Sequence, residues 1–201
     1  MVKEEQQLQK EQQQKYEEWV REEGGMEHPT HLETLLKPEQ QQRIKWLQKH
    51  CGEEKDILDI GCSWGYILNE LRGKCGIDRN SESIERAKRE FPDIDFKIGD
   101  VTKGLNIPDK SYDIVIESEL LEHLNWFAGV EEALLEGLRI AKDKVLITMP
   151  WKKEPDFALC FKHQWVPTEA RVRVIAAWLS TRSHNVILEF DPYFVYVEVI
   201  C

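Results

Sequence analysis

Short apolar runs alternating with helix-prone stretches predict an α/β chain built on a doubly wound, mostly parallel sheet of seven strands whose last strand is reversed. Three observations carry that prediction. Between residues 56 and 149 five strand-like runs are separated by helical or turn segments, the order that lays helices on both faces of a parallel sheet. The first run ends in a glycine-bearing turn, Asp59-Ile60-Gly61-Cys62-Ser63-Trp64-Gly65, which passes at once into a helix. Finally, the runs 184–190 and 193–200 have only Asp191-Pro192 between them, and two strands so close in sequence must pair antiparallel.

In order along the chain, residues 3–23 are dominated by Glu, Gln and Lys, which favours helix but offers little core-forming surface. Tyr16 and Trp19 share one helical face there and are expected to dock. Gly24-Gly25 breaks that helix, and Pro29 and Pro38 punctuate the loop after it. Pro38 then opens an amphipathic helix to His50 through Ile44 and Leu47. Strand 56–60 leads to helix 64–72, and strand 74–78 to helix 81–90, with Ser81 the expected N-cap. Strand 94–98 is followed by a short turn. Strand 112–117 precedes a predicted helix 119–142, broken near Asn125. Strand 144–149 ends at Met149-Pro150, and helix 167–181 precedes the two closing strands. Residues 1–50 therefore read as a helical extension and cap, and 51–201 as the main domain.

The chain has 201 residues, 41 % hydrophobic and 32 % charged, enough for one domain with a substantial core. No apolar run approaches the ~20 residues that span a bilayer. The opening Met-Val-Lys-Glu-Glu-Gln-Gln lacks the apolar stretch of a signal peptide, so a cytoplasmic protein is expected. Five cysteines without a Cys-x-x-Cys pair argue against a disulfide framework or a cysteine metal cluster. A formal net charge of −10 counts against nucleic-acid binding, which draws its affinity from basic surface, and no membrane partner is expected. Oligomeric state is not legible.

The chemistry lies in four marks. Asp59 precedes the glycine turn. One βα unit later, Gly76-Ile77-Asp78 places a carboxylate where it can accept both ribose hydroxyls of an adenosine. Gly99-Asp100-Val101 follows the third strand, and Tyr112-Asp113-Ile114-Val115-Ile116-Glu117-Ser118-Glu119-Leu120-Leu121-Glu122-His123 runs from the fourth strand into a Glu-Glu-His segment. A dinucleotide site is disfavoured, because Gly61-x-x-x-Gly65 is not the G-x-G-x-x-G that admits a pyrophosphate.

Taken in this order, the marks resemble those of the class I S-adenosylmethionine-dependent methyltransferases, in their type-11 branch, over about two-thirds of the chain. Ser63 departs from the pattern, which commonly has glycine there. The resemblance implies a Rossmann-like fold and a cofactor-binding set of Asp59, Gly61, Cys62, Gly65, Asp78, Arg79, Asp100, Val101, Glu117 and Ser118. Within it, Gly61 and Gly65 let the cofactor's amino-acid end approach backbone, Asp78 takes the ribose, Asp100 and Val101 take the adenine, and Ser118 lies near the methionine group. Asp59 acts through water or orients the turn.

Glu119, His123 and His163 are the expected catalytic residues. A segment closely similar to Glu119-x-x-Glu122-His123 holds a divalent ion in ubiquinone-pathway O-methyltransferases and in small-RNA 2′-O-methyltransferases. The same three residues here are read either as metal ligands, with His163 as a further ligand, or with His123 as base or packing residue. His28 and His31 are further candidates on the acceptor side. Segment 150–166, with Trp151, Phe157, Phe161, His163 and Trp165, is expected to be an acceptor-side lid or a cover for the sheet end. The expected function is methyl transfer from S-adenosyl-L-methionine to a small molecule, at oxygen. The alternatives are an RNA end or protein side chain as acceptor, or a non-catalytic adenosyl-binding scaffold.

Overall fold

A computed structural model of the chain describes residues 37–53, 55–126, 128–151 and 163–201. Helix α1 (Pro38–Cys51) starts on a proline whose missing N–H costs nothing at a first turn, and ends at Gly52, with φ 70°. It buries Ile44 and lays Leu47 and Cys51 on the sheet. Its last turn is clamped: His50 Nδ1 lies 2.9 Å from Glu198 Oε2, and Lys144 Nζ donates to Glu198 Oε1 at 2.5 Å. Strand β1 (Ile57–Ile60) is buried throughout and gives way to α2 (Tyr66–Glu70). Then follow β2 (Cys75–Asp78), α3 (Ser81–Glu90), β3 (Asp95–Ile98), a 3₁₀ turn (Val101–Lys103) and β4 (Tyr112–Ser118). A second 3₁₀ turn (Leu121–His123), α4 (Gly129–Ile140), β5 (Ala141–Pro150), α5 (Glu169–Ser180), β6 (Asn185–Phe190) and β7 (Phe194–Ile200) complete the order.

The sheet has the order β3-β2-β1-β4-β5-β7-β6. β1 pairs in parallel with both β2 and β4, and β7 pairs antiparallel with β5 and β6. The doubly wound sheet with a reversed last strand is thus as expected. Side chains alternate across β4: Ile114 and Ile116 face the layer containing α1 and α3, whereas Val115 faces the layer containing α4 and α5. Strand order reverses at β1, so the carboxyl ends of β1, β2 and β4 border one crevice.

Two local expectations are corrected. The N-cap of α3 is Asn80, not Ser81: the Asn80 side chain accepts from the N–H groups of Glu82 and Ser83. The predicted helix 119–142 does not form as one element. Glu119 has a left-handed φ of 54° and donates its N–H to the Thr148 carbonyl at 2.8 Å, so a sheet-end contact takes the residue that would open the helix. At the far end, Ala141 pairs with Tyr112 in the β4–β5 ladder, which ends α4 at Ile140.

Candidate functional site

The glycine turn is fastened to the end of β2. The N–H groups of Gly61 and Cys62 both donate to the Ile77 carbonyl, at 2.7 and 3.0 Å. Ser63 sits at φ 48° and donates its N–H to Asp78 Oδ2 at 2.9 Å, while Asp78 Oδ1 accepts from Asn80 N–H at 2.8 Å. The departure from glycine at position 63 is thus accommodated in a left-handed conformation held by a charge-assisted bond. Gly61 and Gly65 both have φ 81°. A Cβ on Gly61 would stand 2.9 Å from Leu120 Cδ1, and one on Gly65 would run into the ring of Phe96. These positions need glycine for conformation and for space. Trp64 is buried in the turn, with the Arg86 guanidinium 3.5 Å above its ring.

Beneath the turn lies a buried charge cluster. Asp59 is 2 % exposed, and its Oδ1 finds no partner among the described residues. Burial, with the neighbouring Asp78 charge, pushes its carboxyl up to about 8 against the pull of Arg43. Arg43 reaches in from α1 at 4 % exposure. Its Nη1 donates to Ser118 Oγ at 2.9 Å and lies 3.3 Å from Glu119 Oε2, and its guanidinium stands 5.4 Å from the Phe194 ring centroid. The hydroxyls of Ser118 and Thr148 are 2.8 Å apart. Neither Arg43 nor Thr148 was among the sequence-predicted site residues. The available signal was an arginine on the same helical face as Leu47.

The expected cofactor set is not gathered uniformly. Asp59, Gly61, Cys62, Gly65, Asp78 and Ser118 surround the turn and the ends of β1, β2 and β4. Arg79 is exposed beside Asp78. Asp100 caps the first 3₁₀ turn, accepting from Thr102 N–H and Oγ1 at 3.1 and 2.7 Å, with Lys103 at 3.0 Å. Burial works to raise its carboxyl, but these bonds outweigh it and hold it low. Val101 is buried beside it. Burial and the nearby Asp59 and Asp78 charges push the Cys62 thiol up, away from nucleophilic use. Glu117 does not bring its carboxylate to the crevice. By strand alternation it faces α4, wholly buried, against the notch left by Gly137.

Beside this cluster, the chain returning from β5 docks on the Leu121–His123 turn through three hydrogen bonds. Gln164 N–H donates to the Glu122 carbonyl at 2.8 Å, Gln164 Nε2 to the His123 carbonyl at 3.0 Å, and the buried Trp165 Nε1 to the Leu121 carbonyl at 2.9 Å. Trp165 also meets Trp126 edge-on, centroids 4.5 Å apart. This lacing brings the His123 and His163 rings to 4.9 Å and gathers Glu122, His123 and His163 with ligand atoms within 4.8 Å of one another. The gathered trio therefore differs from the expected Glu119, Glu122 and His123. With position 119 out of a helix, Glu119 turns to Arg43 and His163 takes its place. Both Glu122 carboxylate oxygens are buried without a hydrogen-bond partner among the described residues, and one carboxylate with two imidazoles suits a divalent ion of the first transition row. His28, His31, Tyr16, Trp19 and residues 152–162 of the expected lid lie outside the described residues.

Comparison with known proteins agrees with this geometry. Residues 57–144 match the family model described as a methyltransferase domain. A putative methyltransferase, 235L, of Invertebrate iridescent virus 6 is 39 % identical over 75 residues, which is 34 % of this chain and 28 % of that protein. A probable S-adenosylmethionine-dependent methyltransferase of Mycolicibacterium smegmatis is 30 % identical over 74 residues, 35 % of this chain and 28 % of that protein. The chain spans under a third of the length of the curated relatives it matches. Among solved structures, a SAM-dependent methyltransferase from Archaeoglobus fulgidus shares the fold, with a TM-score of 0.64 at 16 % identity over 80 % of this chain and 92 % of that one. No helix among the described residues is long and apolar enough to cross a membrane.

Proposed function

We propose that the chain is a class I S-adenosylmethionine-dependent methyltransferase, that it binds S-adenosyl-L-methionine at the glycine turn and that it methylates a hydroxyl of a small-molecule acceptor. The methyltransferase-domain match over residues 57–144 and the fold support this reading. The cofactor fits the residues present: an orphaned Asp59 oxygen, a turn with no room for a Cβ at Gly61 or Gly65, and Asp78 at the end of β2. When bound, it supplies a methyl group made electrophilic by the sulfonium, so the protein's share is positioning and acceptor activation.

Asp78 offers the ribose its carboxylate while its two backbone bonds keep it aimed. Asp59 lies beneath the turn, where the cationic end of the cofactor would draw its raised carboxyl back toward the ionised form. Asp100 and Val101 border the adenine side. The observation that carries oxygen as the acceptor atom is the Glu122, His123 and His163 cluster. A neutral hydroxyl is a weak nucleophile and needs its proton removed as it attacks carbon, whereas a neutral amine is nucleophilic through its nitrogen lone pair without a base. His123 or His163 takes that proton as base. Alternatively, Glu122, His123 and His163 would hold a divalent ion, which would lower the hydroxyl's pKa. The net charge of −10 favours a small acceptor over an RNA.

A turnover screen over hydroxylated metabolites, amines and short RNAs tests the acceptor. Hydroxylated compounds are expected to be methylated, and turnover on amines alone would overturn the reading. With the acceptor in hand, chelation divides the two roles of the cluster. Activity abolished by chelator and restored by Mn²⁺ or Zn²⁺ establishes the ion, and chelator-insensitive turnover leaves a histidine as base.

A further inference from the structure

We infer that Arg43 is a positioning residue for the amino-acid end of the cofactor, and that on binding it exchanges Glu119 for the cofactor's carboxylate, releasing Glu119 toward the acceptor. This rests on the crevice being an S-adenosylmethionine site. Among the described residues, Arg43 is the one Lys or Arg that is fully buried, and acids outnumber it there: Asp59 and Glu122 are buried and Glu119 stands beside it. A guanidinium withdrawn from water is stable only when its donors are used. Its hydrogen bond and its ion pair both run through Nη1, and Nε is buried with no partner among the described residues.

The carboxylate it already has is a weak occupant. Glu119 stands 3.3 Å away, beyond the ~2.8 Å usual for a charge-assisted bond. It does so from a left-handed φ of 54°, which a side chain-bearing residue adopts only at a cost, and its side chain keeps 30 % exposure. A better-placed carboxylate would fill the fork that Nε leaves open.

Of the cofactor's parts, only the amino-acid end carries a carboxylate. The ribose and adenine are neutral, and the sulfonium and ammonium are cationic. Charge therefore sorts the ligand: its carboxylate goes to Arg43, and its cationic groups go to the acid-rich floor at Asp59. The planar guanidinium takes a carboxylate through two parallel bonds, which a lysine at this position would not. Displaced from Nη1, Glu119 is left at the end of β4, next to the turn that carries Glu122 and His123. The cofactor would then have to bind before the acceptor meets a complete site.

Calorimetry on the full chain, with S-adenosylhomocysteine and its decarboxylated counterpart as ligands, tests this in wild type, Arg43→Gln, Glu119→Gln and the double variant. Losing a charge-assisted carboxylate bond weakens S-adenosylhomocysteine by at least about tenfold in Arg43→Gln, while the decarboxylated ligand binds that variant and wild type alike. Glu119→Gln removes the competitor and tightens S-adenosylhomocysteine by about three- to tenfold, an effect absent from the Arg43→Gln background. A purely structural role for the pair does not predict tighter binding. Unchanged or weakened binding in Glu119→Gln overturns the exchange. This arm stands even where Arg43→Gln fails to fold. Wild type binding S-adenosylhomocysteine with no dependence on Arg43 sinks this inference alone, whereas wild type binding neither ligand sinks the site itself.

Discussion

Glu117 makes the fold sensitive to pH in a way that one substitution should expose. It lies in the middle layer between β4 and α4 with no exposed surface, and neither carboxylate oxygen has a hydrogen-bond partner among the described residues. Room for it exists because residue 137 is glycine: a Cβ there would stand 2.5 Å from Glu117 Oε1. Burial alone pushes its carboxyl from 4.5 up to about 8. Folded, this acid holds its proton more tightly than unfolded. Its contribution is therefore intact below about 4.5 and lost as pH rises through about 8. At 1.36 kcal/mol per pKa unit, the shift corresponds to roughly 5 kcal/mol at most above pH 8. Asp59 is raised similarly, so the wild-type slope alone does not isolate Glu117. The difference from Glu117→Gln does. Denaturant unfolding from pH 5 to 9 should show the two proteins alike at the acid end and Glu117→Gln increasingly more stable toward the alkaline end. Glu117→Met, which removes the unpaired polar group and keeps an unbranched side chain, should be more stable still by about 1–3 kcal/mol. Parallel pH curves for wild type and Glu117→Gln would refute the reasoning.

Two further substitutions address the turn and the docking segment. Gly65→Ala forces a side chain into a left-handed residue facing Phe96 and should cost about 2–5 kcal/mol in denaturant unfolding, with cofactor affinity falling in step. Trp165→Phe keeps most of the packing but leaves the Leu121 carbonyl without its donor, so a loss of about 1–3 kcal/mol is expected, with turnover falling more than cofactor affinity. Full turnover in a destabilised Trp165→Phe would make this segment cover for the sheet end, with no part in aligning His123 and His163.

Much of the fold was legible because its signals are local. Apolar runs at β1 and β4, the proline opening α1 and the short Asp191-Pro192 link each act over a few residues, and the observed strands start and stop within about one residue of their expected ends, except that β5 begins early, at Ala141. The glycine turn and Asp78 were legible for the same reason, since both lie where a strand ends. What sequence could not settle is set by distant partners. Glu119 is kept out of a helix by the Thr148 carbonyl, and the Leu121–His123 turn is fastened by Gln164 and Trp165, some forty residues later. Arg43 was read as part of an amphipathic helix, because its role follows from Ser118 and Glu119, which only the folded sheet brings near it. Glu117 was placed with the cofactor residues from its position at a strand end. Its facing α4 depends on which side of the sheet that helix covers.

The central claim is that the turn between β1 and α2, tied to Asp78, is a cofactor site. Calorimetric titration of the full chain with S-adenosylhomocysteine measures it directly, beside Asp78→Ala checked for folding by its thermal melt. One ligand per chain should bind wild type, and loss of the ribose partner should weaken binding by about 1–3 kcal/mol in Asp78→Ala. No heat of binding to folded wild-type protein at high micromolar ligand, or equal affinity in Asp78→Ala, would contradict the account.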